Sequence, residues 1–434
     1  FGPLAGLHRF EVWATDDAGA ADQTPALSQF NVNPELAGPK LHISTNVFGT
    51  HIFRGPVWPS RYNIPDPIFA GERLSFAWFA EAHDYGGEVV GYRSAYDDTS
   101  TWPPWSIFDR RFRTVPTIGR HSLYVSALDN ANVMTRARMY FDVVEASLDE
   151  YILVVDDYDQ WESNPAWGTD EERNDFYNRL LSGYVRIRSE WEPAQHMDAD
   201  TPLPPDVDAL QGASTVIWYC DGALATIADV FNPRLPMYNA LAGYMRVGGN
   251  IVLSGSKVMT QVTGRSYPIG IAQSDTTTAA IFVRDYLHIG WVDNSGGGAN
   301  QSAPWDYGYC MHGALPTADG EALGFEAVYV DTGDCDVEAG KWWFYCEAPL
   351  PGYIHSGLNV EKLYNFQGTG LEIYGTDSFL NQNYEGETSV VLYLSGDNRG
   401  NACYIGFPLY YCQEDHVKDM MDKILALFGE EKIQ

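Results

Sequence analysis

Near residue 150 the hydrophobic pattern changes period, and that change limits what each half of the chain can become. Before it, Phe10, Val12 and Ala14 alternate with Arg9, Glu11 and Trp13, and Leu74-Ser75-Phe76-Ala77-Trp78-Phe79 alternates in the same way. A period of two puts the apolar side chains on one face of a half-buried strand. After it, Tyr151-Ile152-Leu153-Val154-Val155 runs without interruption into Asp156-Asp157. An unbroken apolar run of this length suits a strand buried on both faces, as in a parallel sheet.

The first half therefore predicts antiparallel sandwiches. Residues 1–33 supply two strands, Leu7 to Thr15 and Ala26 to Val32, around the turn Asp16-Asp17-Ala18-Gly19. Two strands cannot bury a core, so this piece reads as the tail of a sandwich whose other strands lie elsewhere. Residues 38–146 predict a further sandwich of about 100 residues. Its stretch Gly119 to Asn130 parallels Gly6 to Asp17, and a closing strand follows each, Met139 to Val144 and Ser28 to Val32. This is an internal repeat of one and a fraction copies.

Residues 150–434 predict an α/β domain with an insertion at about 290–350. After the strand at 151 come a helix at Glu171 to Ser182 and strands at Tyr184 to Ile187 and Ser214 to Cys220. A helix at Pro236 to Val247, ended by Gly248-Gly249, leads to the strand Asn250 to Ser254. Strands at Val390 to Leu394 and Ala402 to Phe407 precede a helix from Glu414 to Phe428, whose apolar stripe includes Val417, Met421 and Leu425. Alternating strands and helices predict a doubly wound parallel sheet. Lys341 to Cys346 predicts a strand of an added β layer.

Two resemblances follow. The run Phe76-Ala77-Trp78, His83-Asp84, Gly91-Tyr92-Arg93, Asp97-Asp98, Trp102 and Gly119 to Asn130 resembles fibronectin type III or related immunoglobulin-like modules of exported bacterial proteins. It covers about a third of the chain and implies a fold without an activity. Ile152 to Asp157, Leu241 to Ser256 and Ile405-Gly406-Phe407-Pro408-Leu409-Tyr410 resemble the flavodoxin-like, class I glutamine amidotransferase-like domains of exported bacterial proteins. That likeness is one of layout.

Composition narrows the partners. A net charge of -31 repels nucleic acid and anionic membrane surfaces. No apolar run is long enough to cross a bilayer. The acidity suits a solvated exported surface, with calcium held by carboxylate loops or high-salt adaptation as sharper readings. The first residue is Phe1, and the start reads as a cut within a longer precursor. Six cysteines, none in a CxxC pair, speak against structural zinc. Cys335 and Cys346 are the first candidates for a bridge, and Cys220 reads as a buried thiol.

Each candidate site has a plainer rival. The amidotransferase-like layout puts a nucleophile just after the strand at 250, where the chain reads Ser254-Gly255-Ser256-Lys257-Val258. Ser256 has a small residue on only one side and no Cys stands there, so glutamine hydrolysis loses its nucleophile. A serine hydrolase would need one of His288, His312 or His355 together with a carboxylate. Cys220 ends a strand where open α/β sheets bind ligands, but no His is near it in sequence. Asp156, Asp157 and Asp159 could hold a divalent cation through oxygen ligands, although their spacing is not that of an EF-hand. The Asp16-Asp17 and Asp97-Asp98 pairs invite the same reading between modules. Thirteen Trp suggest glycan stacking, best at Trp102 and Trp105 and at Trp342 and Trp343, with burial in a core as the alternative.

The leading expectation is a non-catalytic secreted or cell-surface protein whose sandwich modules present the α/β domain for adhesion, surface assembly or glycan contact. One rival is a serine or cysteine hydrolase at the carboxyl edge of the sheet. Another is a structural subunit of a surface layer, whose partial first module is completed by a neighbouring chain or by sequence upstream.

Overall fold

The computed structural model describes residues 6–32, 38–47, 49–54, 60–63, 67–108, 110–157, 169–184, 187–191, 197–198, 201–220, 227, 239–255, 258–265, 269–275, 277–293, 313–331, 346–351, 359–367, 388–396 and 399–432. They form two compact units that divide between Val144 and Glu145.

The first unit opens with β1 (Gly6–Val12) and β2 (Ala26–Val32), an antiparallel pair in a sheet of its own. Next come β3 (Lys40–Thr45), β4 (Gly49–Phe53), β5 (Ser60–Asn63), β6 (Ile68–Phe69), β7 (Leu74–Glu81), β8 (Val89–Tyr96), β9 (Arg111–Thr114), β10 (Gly119–Asp129) and β11 (Met134–Val144). They build a β-sandwich. One sheet has the order β4-β3-β7-β9, and the other runs β5-β11-β10-β8, with β6 also on β11. Every second residue of β11 is buried, and Leu41, Ile43, Phe76, Leu123, Val125, Met139 and Phe141 are wholly shielded between the sheets. The Phe76 and Phe141 rings, one from each sheet, meet at 6.1 Å. The alternation in the sequence thus marks the inward face correctly.

The hairpin from β10 to β11 turns on a buried carboxylate. Asp129 Oδ1 accepts the backbone N–H groups of Ala131 at 2.9 Å and Val133 at 2.7 Å, and Oδ2 accepts the Tyr85 hydroxyl at 2.8 Å. Asp129 is 0% exposed. Burial and the bond to Asp129 push the Tyr85 phenol well above its ordinary pKa, so it remains a donor.

The second unit centres on a nine-stranded mixed sheet. Its strands are β12 (Tyr151–Asp156), β13 (Ile187–Trp191), β16 (Ala213–Cys220), β17 (Asn250–Gly255), β20 (Gly313–Pro316), β21 (Val328–Tyr329), β23 (Asn359–Gln367), β24 (Thr388–Leu394) and β25 (Ala402–Ile405). The order is β13-β12-β16-β17-β25-β24-β23-β20-β21. The first five are parallel and the other four extend the sheet antiparallel. The expected parallel sheet thus accounts for five of the nine strands, and the sheet as a whole is mixed. Strands such as β23 and β24 follow one another as a meander, which antiparallel pairing accommodates without a crossover helix. Two small antiparallel sheets stand apart. One joins β14 (Met197–Asp198) to β15 (Thr201–Pro202), and the other has the order β18 (Ile269–Gly270), β19 (Ile289–Asp293), β22 (Ala348–Pro351).

Seven helices are described in this unit: α1 (Asp170–Leu180), α2 (Val207–Leu210), α3 (Ala240–Arg246), α4 (Val258–Thr263), α5 (Thr278–Asp285), α6 (Ala318–Ala322) and α7 (Glu414–Leu427). Thr169 and Glu172 form a reciprocal capping box that starts α1. One face of the sheet, with Ile152, Val154, Ile217, Tyr219 and Val252, packs in a single cluster with Phe176 and Leu180 of α1 and Met420, Met421 and Ile424 of α7. The residues between them, Leu153, Val155, Val216, Trp218 and Ile251, are equally buried, so both faces are covered. That is why β12 has no polar alternation.

One strand begins later than the sequence suggests. Tyr184 makes only an isolated bridge to Lys432, and the second parallel strand is Ile187–Trp191. The chain turns at Gly183, where φ is 102°, and Tyr184 is buried beside α7 with its hydroxyl on Asp422 at 3.1 Å.

Asp129→Ala leaves two backbone donors and a phenol unpaired in the sandwich. It should cost roughly 2–4 kcal/mol, and Tyr85→Phe about 1–2 kcal/mol, in urea unfolding followed by amide exchange in the β10–β11 hairpin. A loss below about 1 kcal/mol for Asp129→Ala would mean that the turn holds without its carboxylate.

Candidate functional site

In open α/β sheets ligands meet the carboxyl ends of the parallel strands. Here those ends carry Asp157 beyond β12, Cys220 on β16, Gly255 on β17 and Gly406 beyond β25. Gly255 has φ 137°, and a Cβ there would lie 2.2 Å from the Cys220 carbonyl oxygen, so only glycine lets the two strand ends approach.

Asp157 is 3% exposed and faces donors. Its Oδ2 accepts the Trp218 indole N–H at 2.9 Å and the Ile227 backbone N–H at 2.9 Å, and the Cys220 thiol donates to it at 3.8 Å. Three donors converging on one oxygen suit an ionised carboxylate and leave a cation poorly placed there. Asp156, buried at 2%, ends β12. Asp159 lies outside the described residues. Among the described residues no group of three His, Cys, Asp or Glu is arranged to hold a metal ion. The calcium reading of Asp156, Asp157 and Asp159 therefore gains no support from the Asp157 environment.

A second carboxylate, missed by sequence reasoning, lies along the same edge. Glu347 is 0% exposed. Its oxygens accept the Met259 backbone N–H at 3.1 and 3.0 Å and the Thr260 N–H at 3.4 Å, at the opening turn of α4. The Tyr404 hydroxyl of β25 donates to Oε2. Glycine again permits the arrangement. A Cβ on Gly406 would fall 2.0 Å from the Glu347 carbonyl oxygen, and Glu347 N–H donates to the Gly406 carbonyl at 2.7 Å. The chain at 346–347 is thus laid against the end of β25, and its carboxylate occupies the helix-start donors that follow β17. In sequence only an acid beside Cys346 in an aromatic stretch hinted at it.

A buried cation lies farther along. Arg173 of α1 is 0% exposed, donates to the Tyr411 hydroxyl at 2.9 Å and stacks 4.7 Å above the Tyr410 ring. Beside it Tyr177 stacks on Tyr219 at 3.8 Å. Cation–π and ring stacking let the guanidinium be buried among aromatics.

The other candidates separate. Ser256, His312 and His355 lie outside the described residues, and the His288 ring packs against Tyr393 at 3.8 Å. Cys220 is buried at the end of β16, as expected of a thiol in a core. Cys346 is buried, while Cys335, Trp342 and Trp343 lie outside the described residues. In the sandwich, Asp97 accepts from Ser122 N–H at 2.7 Å and pairs with His121 at 2.7 Å. Asp98 accepts the Ser100 N–H at 2.7 Å and its hydroxyl at 2.8 Å.

Trp102 and Trp105 are brought together around a cation. The Arg93 guanidinium lies 4.6 Å from one ring centroid and 4.5 Å from the other. Burial, and then the like charge of Arg136, lower the Arg93 pKa. Trp102 also meets Tyr124 edge-on, and Arg138 stacks over Tyr124 and Tyr140 at 4.7 and 3.7 Å. One face of each Trp is thus taken by Arg93, and Trp105 is 37% exposed.

No protein-family model matches the chain, and no curated protein does. Solved structures similar to parts of it include the fibronectin(III)-like modules of Clostridium thermocellum CbhA, 14% identical over 35% of this chain and 68% of that one, with a TM-score of 0.17. The extracellular domain of a one-component system from B. thetaiotaomicron is 10% identical over 31% of this chain and 20% of that one, with a TM-score of 0.18. A Photobacterium sp. JT-ISH-224 2,6-sialyltransferase is 11% identical over 53% of each chain, at 0.16. Scores this low carry no argument about what the chain does.

Glu347→Ala strands two backbone donors and a phenol in the interior of the second unit. The expected loss is about 3–5 kcal/mol in urea unfolding, and Glu347→Gln should recover part of it by retaining one acceptor oxygen. Equal stability of Glu347→Ala and wild type would show that this carboxylate does not hold the edge together.

Proposed function

We propose that the chain is part of an exported, modular surface protein in which sandwich modules carry a non-catalytic α/β unit for adhesion, surface assembly or glycan contact. Within this reading the sandwich is an immunoglobulin or fibronectin type III-like spacer. The second unit is flavodoxin-like, because its parallel block follows the order second, first, third, fourth, fifth strand. The four antiparallel strands are then additions to that core.

One observation carries the non-catalytic reading. Asp157 and Glu347, buried acids at the carboxyl edge, both accept backbone N–H groups, and Glu347 fills the donors at the start of the helix after β17. An oxyanion or anionic ligand would need those same donors. A carboxylate already seated there competes with it from within the fold.

The strong negative charge supports export, since it keeps a surface-displayed protein soluble and repels nucleic acid. The described helices include none long and apolar enough to cross a membrane. Neighbouring surface-protein subunits or glycans are the partners this reading names. For glycans, Trp105 of the expected pair remains partly exposed.

A fluorophosphonate probe and iodoacetamide should leave the native chain unlabelled, and shaving intact cells with protease should release its peptides. Stoichiometric labelling that is lost in Ser256→Ala or Cys220→Ala would replace this reading with a hydrolase. Peptides found only after lysis would remove export.

A further inference from the structure

The outward positions of β8, β10 and β11 reverse the charge balance of the chain. Overall it carries 58 acids against 27 lysines and arginines. On this face of the sandwich stand Arg93, Arg120, Arg136 and Arg138 with one acid, Asp142. That acid is taken, because Arg120 donates to it through Nε at 2.8 Å and Nη2 at 2.7 Å. Strand register then sets a row across the sheet, with Ser126 opposite Arg93 on one side and Arg136 on the other. The next row places Tyr124 opposite Arg138, whose guanidinium stacks on that ring at 4.7 Å.

Donors on this face lack acceptors. Ser126 is 0% exposed and its hydroxyl has no hydrogen-bond partner, and the buried Nε atoms of Arg93 and Arg138 have none either. A guanidinium only donates, so neighbouring arginines cannot satisfy one another. Burial, and then the like charge of Arg136, disfavour the charged form of Arg93. The rings of Trp102 and Trp105 help keep that charge out of water, but they supply no acceptor oxygen. Buried donors without acceptors are uncommon because each has given up its water. Three on one sheet face mark the place of a missing acceptor, and the cations around them select a negative one.

We infer that the row Arg93, Ser126 and Arg136 is a binding site for the carboxylate of an acidic polysaccharide. A carboxylate offers planar paired oxygens to a guanidinium fork and has lone pairs left for the serine hydroxyl. It reaches Ser126 by parting the arginine side chains that flank it, with no movement of backbone. A sugar is favoured over an acidic protein by the ring beside the row. Tyr92 and Ser106 exchange backbone hydrogen bonds at 2.9 Å in both directions, which holds the Trp105 segment against β8. Gly91 leaves room for it, since a Cβ there would lie 3.3 Å from the Trp105 Cβ. Trp105 stays partly exposed next to Arg93 and gives a pyranose an apolar floor, which an aspartate or glutamate side chain does not need. The inference rests on the glycan-contact part of the proposed function and narrows it to anionic chains.

The test is titration calorimetry of the purified chain with oligogalacturonate, beside its neutral methyl ester and polyglutamate. Oligogalacturonate should bind, and esterification should weaken binding about 10-fold or more by removing the anion. Arg136→Gln should weaken it by a similar factor, about 10-fold. Ser126→Ala should weaken it about 3- to 10-fold without lowering Tm, because the hydroxyl removed has no partner in the free fold. Trp105→Ala should weaken oligogalacturonate as well. No binding of oligogalacturonate would overturn the inference, as would affinity that survives Ser126→Ala and Arg136→Gln. Equal binding of the ester would overturn it while keeping glycan contact, since the ring alone would then be the site. Equal binding of polyglutamate would overturn it in favour of an acidic protein partner. Calorimetry on the purified chain is blind to export, so its failure and the failure of the surface-protein reading, tested on intact cells, are distinguishable.

Discussion

The carboxyl edge of the second unit depends on one constraint: backbone N–H groups that end up buried must find an acceptor. The Ile227 N–H and the first amides of α4, Met259 and Thr260, are buried where no strand offers them a carbonyl. Asp157 and Glu347 meet that need from inside the fold. Each is a polar group removed from water, and each is stabilised because several donors converge on it. Glu347 comes from far along the chain, so the start of α4, the end of β25 and the segment before β22 are fixed to one another through a single side chain.

The sandwich solves the same problem at smaller scale. Asp129 closes the β10–β11 turn by accepting two amides and a phenol, while the apolar residues of both sheets exclude water between them. On its outer face the Arg93 guanidinium lies between Trp102 and Trp105, and Arg138 lies over Tyr124 and Tyr140. Cations over ring faces give that surface order without an ion pair for Arg93 or Arg138 among the described residues.

Among the described residues, the two buried acids of this edge, Asp157 and Glu347, are each bonded to donors beside them.

Local pattern determined a good deal here. Two-residue alternation marked β7 as a half-buried strand, the unbroken apolar run marked β12 as buried on both faces, and the stripe of Val417, Met421 and Leu425 placed α7 on the core. The repeat from Gly6 and Gly119 was legible because its turn is held by residues a few positions apart. What tertiary structure alone decided is long-range: the antiparallel extension of the sheet, the place of Glu347 against Met259 and Tyr404, the burial of Arg173, and Arg93 between two tryptophans. Hydrophobic period reports which face of a strand is buried, because that depends on neighbours one or two residues away. It is silent on which distant donor a carboxylate will meet, because that meeting is set by how strands order themselves in the sheet.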